Sequence, residues 1–297
     1  MTARECPLCS GHGPRLPLRI PADLPNAPPY VQCQQCGLVF HEAAPPPAPV
    51  VRPTIDAQLH YTSWKLPTNR HRLAWLTRRI DKRHGRAVDI GTRDGSVVKL
   101  LSDMGWQAVG YDPDNLWHDY ARERLGVEIR GEWFTAGVVG HGTLDLATAY
   151  HVLEHIAEPR PWLSEIRDAL KPDGYLHVET PNLRRVRATQ VIPGHVVLYT
   201  EHTLRQMLET VGFRIMAVTE FAPSGNRSYD CLGVLAKRDQ PKALHFGLSQ
   251  VDRSVQQSLD HPTWEARRSD VVPVDLYRRA KQRLGAVFRR IRYHATR

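Results

Sequence analysis

Four cysteines stand in two pairs of equal spacing, Cys6 and Cys9, then Cys33 and Cys36, a C-x2-C-x23-C-x2-C pattern. Four thiolates so arranged close a tetrahedral zinc site and leave no coordination position open for chemistry, so a structural metal is expected on Cys6, Cys9, Cys33 and Cys36. Reduced free thiols are the other reading. They would leave some forty proline-rich residues with little core to hold them together. Further along, Asp89-Ile90-Gly91-Thr92-Arg93-Asp94-Gly95 is a glycine-bearing turn, and Asp112 lies 21 residues after Gly91. Such a turn lets backbone approach a ligand at a helix start, and an acidic residue about 20 positions on can accept both hydroxyls of a ribose. Alone, the turn need be no more than tight geometry. His151, His155 and His195 are the candidates for a base that titrates near neutrality. Cys231, left over in an apolar run, reads as a small buried hydrophobe.

The elements that would carry these residues alternate. A helix is expected over 68–82, then a strand over 87–90, a helix over 96–104, a strand over 107–111, a helix over 116–125 and a strand over 127–129. A strand over 144–150 and a helix over 161–170 follow. The turn Lys171-Pro172-Asp173-Gly174 leads into a strand over 175–179, and a helix over 203–211 precedes strands over 213–219 and 231–236. This βα alternation predicts an α/β, Rossmann-like fold: a mostly parallel seven-stranded sheet with helices on both faces and ligands at the carboxyl ends of the strands. Twelve prolines between Pro7 and Pro53 confine the N-terminal part to knuckles and a stiff connection. The expected division is a zinc ribbon over 1–42, a proline-rich linker over 43–60, the α/β domain over 61–239 and a basic, partly helical extension over 240–297.

Composition narrows the function classes. Hydrophobic residues at 41% and charged residues at 24% are ordinary globular usage. No apolar run approaches the roughly 18 residues of a membrane span, and no basic-then-apolar secretion signal opens the chain, so a cytoplasmic protein is expected. The formal charge of +9 is uneven: residues 237–297 hold 14 Lys/Arg against 6 Asp/Glu. Leu276, Ala280, Leu284, Phe288 and Ile291 share one helical face there among arginines, a basic amphipathic helix. It either packs on its own domain or holds the chain at the inner face of an anionic membrane.

Residues 61–238 resemble a class I S-adenosylmethionine-dependent methyltransferase in the order of their motifs. Residues 88–95 resemble the family's first motif, Gly110-Tyr111-Asp112-Pro113 its ribose-binding turn, and Gly131-Glu132 falls where an acidic residue often lies near the adenine. Tyr150-His151-Val152-Leu153-Glu154-His155-Ile156 is similar to the "VLEH" signature, and Glu179-Thr180-Pro181-Asn182 and 195–200 follow as in the group that methylates sugars, polysaccharides and other small metabolites. The resemblance implies S-adenosylmethionine held by Asp89, Gly91, Arg93, Gly95, Asp112, Glu132 and Tyr150. Arg93 replaces the family's usual middle glycine; it would either pair with the cofactor's carboxylate or be a solvated loop arginine.

The same resemblance places the segment of His195 over the acceptor pocket. His195 is then base or substrate ligand, His151 faces cofactor or acceptor, and His155 orients the start of its helix. Sugar C-methyltransferases carry a Tyr-His-Glu-His cluster where this chain reads Ile192-Pro193-Gly194-His195, which favours O- or N-methylation. A small-molecule or glycan acceptor is expected. An RNA methyltransferase, supported by the ribbon and cationic tail, and a silent cofactor-binding module are the alternatives.

Overall fold

The computed structural model describes residues 4–19, 29–42, 54–185, 191, 192, 194–219, 231–243 and 255. Near the N-terminus β1 (Arg15–Pro17), β2 (Tyr30–Cys33) and β3 (Val39–His41) pair antiparallel. So few residues bury little on their own, and they merge with their neighbours: Leu8, Val31, Leu38 and Phe40 share one core cluster with Leu153, Val196, Tyr199 and Leu204.

The helix α1 (Ile55–Thr77) begins inside the segment expected to be linker. Thr54 caps it, its hydroxyl accepting from the Ala57 N–H at 3.3 Å. Pro67 lies within the helix; in sequence it reads as a break, because proline lacks the N–H donor and crowds the preceding turn. Tertiary bonds carry the helix through it. Thr62 Oγ1 donates to Asp94 Oδ2 at 2.7 Å and Asn69 Nδ2 to Ser96 Oγ at 2.8 Å, one bond on either side of the proline. The helix stops at Thr77 rather than Lys82, and the Arg83 guanidinium donates to the carbonyls of Thr77 and Ile80.

From β4 (Gly85–Ile90) the chain alternates: α2 (Ser96–Asp103), β5 (Trp106–Tyr111), α3 (His118–Tyr120), β6 (Ile129–Arg130), α4 (Ala136–Val139) and β7 (Leu144–Tyr150). It continues through α5 (Pro159–Ala169), β8 (Leu170–Pro181), β9 (Val197–Leu198), α6 (Glu201–Val211), β10 (Phe213–Thr219) and β11 (Cys231–Arg238). Seven of these strands form one sheet in the order β10-β11-β8-β7-β4-β5-β6. The pairs β4–β5, β5–β6, β4–β7 and β7–β8 are parallel, while β11 runs antiparallel to both β8 and β10. The sheet is therefore mixed, six strands running one way and β11 against them.

The helix expected over 116–125 is found as one continuous helical run over 115–125 that changes pitch, tight over Asn115–Trp117, α-helical in α3 and wide over Ala121–Leu125, ending on left-handed Gly126. Two further elements differ from expectation. Val127 is drawn into the cluster of Val98 and Ala121, so the third strand is Ile129–Arg130 and not 127–129. The Lys171–Gly174 turn is absorbed into β8 as a bulge, with Leu144 opposite Leu170 but Leu146 opposite Tyr175. Lys171 Nζ is held there at 2.8 Å from Asp145 Oδ2. The basic helix expected over 276–291 and residues 43–53 lie outside the described residues.

Candidate functional site

The ends of β4 and β5 lie side by side, and the Gly91 N–H donates to the Tyr111 carbonyl at 2.7 Å. Gly91 has φ +69°, and a Cβ there would sit 2.4 Å from Val152 Cγ2, so only glycine fits. Arg93 is also left-handed, at φ +51°, despite its side chain. Its N–H donates to Asp112 Oδ2 at 2.8 Å, and the Asp114 N–H donates to Oδ1 at 3.0 Å. Each carboxylate oxygen keeps further acceptor capacity for a ligand. Burial raises the pKa of Asp112. The Arg93 guanidinium lies over Tyr61 at 4.6 Å and Trp117 at 5.5 Å.

These groups line a cavity of about 840 Å³, within the range of ordinary ligand sites. Asp89, Gly91, Arg93, Asp112 and Tyr150 are in its wall with His151, His155 and His195; Gly95 and Glu132 are not. Gly95 instead starts α2, where a Cβ would meet Val127 Cγ2 at 2.9 Å. Glu132 is exposed beside the cavity, whose wall is made by its neighbour Trp133. Asp89 is buried, and burial pushes its carboxyl up to about 7 while Thr148 Oγ1 donates to it at 2.6 Å. The Thr92 side chain, buried beside it, also acts to lower the Asp89 carboxyl.

The three histidines all line this cavity, with different partners. His151, left-handed at φ +59°, has Nδ1 3.3 Å from Glu154 Oε1 and Nε2 3.1 Å from Glu179 Oε1. Burial alone would lower its pKa; the Cys231 sulfur and the carboxylates of Glu154 and Glu179 outweigh that and hold it well above the usual imidazole range. Burial raises the Cys231 thiol in turn, so Cys231 is neutral at pH 7 and the two carboxylates are the charges that matter. Both nitrogens of His151 are directed at carboxylates, an arrangement that favours the imidazolium form. His155 Nδ1 contacts the Gly194 carbonyl at 2.7 Å, and its ring meets that of His195 edge-on at 4.7 Å between centroids. His195 is 8% exposed.

Glu154, His155 and His195 each bring one ligand atom within 4.8 Å of the others, a donor set that could hold a divalent ion. His151, Glu179 and Cys231 do so as well, but Arg72 and His151 already engage Glu179. Two wall residues of α1 carry charge that the motif reading missed. Lys65 lies over Trp64 at 4.6 Å, and burial lowers it to about 8. Arg72 pairs with Glu179, 107 residues away. No sequence signal could have found them, because the buried face of α1 is largely polar, with Gln58, Thr62, Asn69 and Arg72 beside Leu73 and Leu76.

Away from the cavity, Cys6 Sγ lies 3.5 Å from Cys36 Sγ and Cys9 Sγ 3.7 Å from Cys33 Sγ. These are too long for a disulfide and close to the edge of about 3.8 Å that four sulfurs about 2.3 Å from a tetrahedral ion would have. The four side chains therefore fit a zinc site. A second cavity of about 660 Å³ lies between this module and α5 and α6, lined by Arg4, Arg160 and Arg167 but by none of the sheet-tip residues.

A methyltransferase-domain family model matches residues 59–218. A Mycolicibacterium smegmatis protein described as a probable S-adenosylmethionine-dependent methyltransferase is 27% identical over 191 residues, 61% of this chain and 68% of its own. A ubiquinone biosynthesis O-methyltransferase of Dinoroseobacter shibae is 30% identical over 128 residues, 37% of this chain and 52% of that protein, so the match spans about half of the relative. Among solved structures, a SAM-dependent methyltransferase from Aquifex aeolicus superposes with a TM-score of 0.50 at 22% identity, over 61% of this chain and 98% of that one, a likeness of fold. Among the described residues no helix is long and apolar enough to cross a membrane.

Proposed function

Since this chain belongs to the methyltransferase-domain family and is an S-adenosylmethionine-dependent methyltransferase, we propose that its cavity directs the methyl group to a hydroxyl or amine of a small metabolite, sugar or glycan. The observation that carries this reading is that His155 and His195 stand in the wall of the same cavity as Asp112. When bound, the cofactor supplies a methyl group already electrophilic on its sulfonium.

In this reading Asp112 accepts from the ribose hydroxyls, the backbone of 91–94 comes against the cofactor, and Arg93 takes its carboxylate. Trp64, Ile156 and Ile192 supply apolar surface on which a small ring can rest. His195 removes the proton that the acceptor loses as its oxygen or nitrogen takes the methyl. His151 does not serve as base, because its nitrogens are committed to Glu154 and Glu179. What remains for the protein is alignment of the acceptor with the sulfonium and exclusion of water. We further propose that Cys6, Cys9, Cys33 and Cys36 hold a structural zinc ion.

The test is incubation of the chain with methyl-labelled S-adenosylmethionine and fractionated lysate. Label in small molecules or glycans is expected; ribonuclease-sensitive label would replace this reading with the RNA one.

A further inference from the structure

The four-stranded sheet of the cysteine module has the order β1-β2-β3-β9, and its last strand comes from residues 197–198, next to His195. Val39 pairs with Leu198 and Phe40 with Val197, and the His41 N–H donates to the Val196 carbonyl at 2.9 Å. The Tyr30 hydroxyl, on a residue 1% exposed, donates to the His195 carbonyl at 2.6 Å. On its other side the segment is bound to the signature turn, since the Val196 N–H donates to the Glu154 carbonyl at 2.7 Å and Gly194 receives His155. The wall that presents Ile192 and His195 is thus held between two layers, one of them the cysteine module.

The module's own geometry depends on its metal ligands. Cys33 ends β2 and Cys36 opens the approach to β3, so the second cysteine pair is the turn of the hairpin that carries both Tyr30 and residues 39–41. The cofactor cradle is built differently, from the tips of β4 and β5 in the other sheet.

We propose that Tyr30 is a positioning residue for the His195 wall, and that metal held at the four cysteines fixes that wall by fixing the hairpin, while the cofactor cradle does not depend on it. Tyr30 is not among the residues that line the cavity; it acts through the His195 backbone. The functional importance of this wall rests on the proposed acceptor assignment, but the coupling does not. Removing the hydroxyl leaves a buried carbonyl without its donor, and a loss of that order loosens local structure about ten-fold.

The test uses the full-length, zinc-loaded chain and needs no acceptor. Tyr30→Phe is compared with wild type and with Leu18→Ala, which trims the cluster around Tyr30 and keeps the hydroxyl. Amide exchange over 194–198, the imidazole pKa of His195 by histidine NMR, and the affinity for S-adenosylmethionine are measured. Tyr30→Phe should raise exchange over 194–198 about ten-fold and shift the His195 titration, with cofactor affinity within about two-fold of wild type. Unchanged exchange, an equal response from Leu18→Ala, or parallel loss of cofactor affinity would overturn the proposal. If Tyr30→Phe does not fold, chelating the metal from wild type gives the same readouts. Loss of protection at 194–198 with cofactor binding intact supports the proposal; retention of protection, or loss of both together, overturns it. Labelling of RNA instead of small molecules would refute the acceptor assignment and leave these readouts unaffected.

Discussion

Arg72 and Glu179 form an ion pair shut off from solvent, their side chains 4% and 0% exposed, with Arg72 Nε 3.1 and 3.0 Å from the two carboxylate oxygens. Burial alone would raise Glu179; Arg72 and His151 hold it far below the usual carboxylate range. The pair ties α1 to β8 beneath the cavity. Arg72→Met should therefore destabilise the chain, by up to about 3–5 kcal/mol, because it leaves the buried Glu179 carboxylate to His151 alone of its two cations. Urea unfolding reads the loss, and a cost under about 1 kcal/mol would mean the pair is not closed in solution.

The two histidines that flank Glu154 should separate by experiment. His195→Gln is expected to cut turnover by roughly 10²- to 10⁴-fold with cofactor affinity unchanged. His151→Gln should act first on stability. Since the folded pKa of His151 is raised, its contribution is fully present below the unfolded value of about 6.5 and declines as pH rises through the folded one. The stability gap between wild type and His151→Gln should accordingly narrow toward alkaline pH. A gap that widens there would refute the imidazolium assignment.

Asp89 links cofactor binding to protons. With its carboxyl raised to about 7 by burial, it is protonated below that pH, and in the proposed reading, where this cavity wall meets S-adenosylmethionine, it ionises to face a positively charged group of the cofactor. Affinity for S-adenosylmethionine should strengthen from pH 6 to pH 8, by up to about ten-fold per unit while the acid form dominates. Asp89→Asn should flatten the profile. Calorimetry in two buffers of different ionisation enthalpy counts the released proton directly.

Metal analysis supplies a fourth check. One zinc ion per chain is expected, lost in Cys33→Ser together with a clear fall in thermal stability, since metal affinity in such a module is folding free energy. Full stability in metal-free protein would count against a structural ion.

Much of this was legible because it is local. β7 coincides with the expected 144–150 because six of its seven residues are buried, which keeps the run largely apolar through Leu144, Leu146, Ala147 and Ala149. The turn of Gly91 and the carboxylate of Asp112 carry their reasons in glycine conformation and spacing. The start of α1 was hidden by Pro67, whose local veto is overridden by bonds from Thr62 and Asn69 to residues around the first turn. The pairing of Arg72 with Glu179 spans 107 positions and leaves no pattern in the chain. Nor does β9: two residues are too short for any periodicity, and they form a strand only because β3 offers an edge.

Arg93 occupies a backbone conformation that glycine enters freely and that costs other residues roughly 1–2 kcal/mol. The chain accepts that strain where a glycine would relieve it, and what it receives is a cation laid across Tyr61 of α1 and Trp117 beyond β5. The turn of residues 91–94 is thereby tied to α1 by a contact additional to the Thr62–Asp94 bond. Arg93→Gly would relax the turn and remove this ring contact, leaving the buried bonds of Thr62 to Asp94 and Asn69 to Ser96 to hold α1 against the turn.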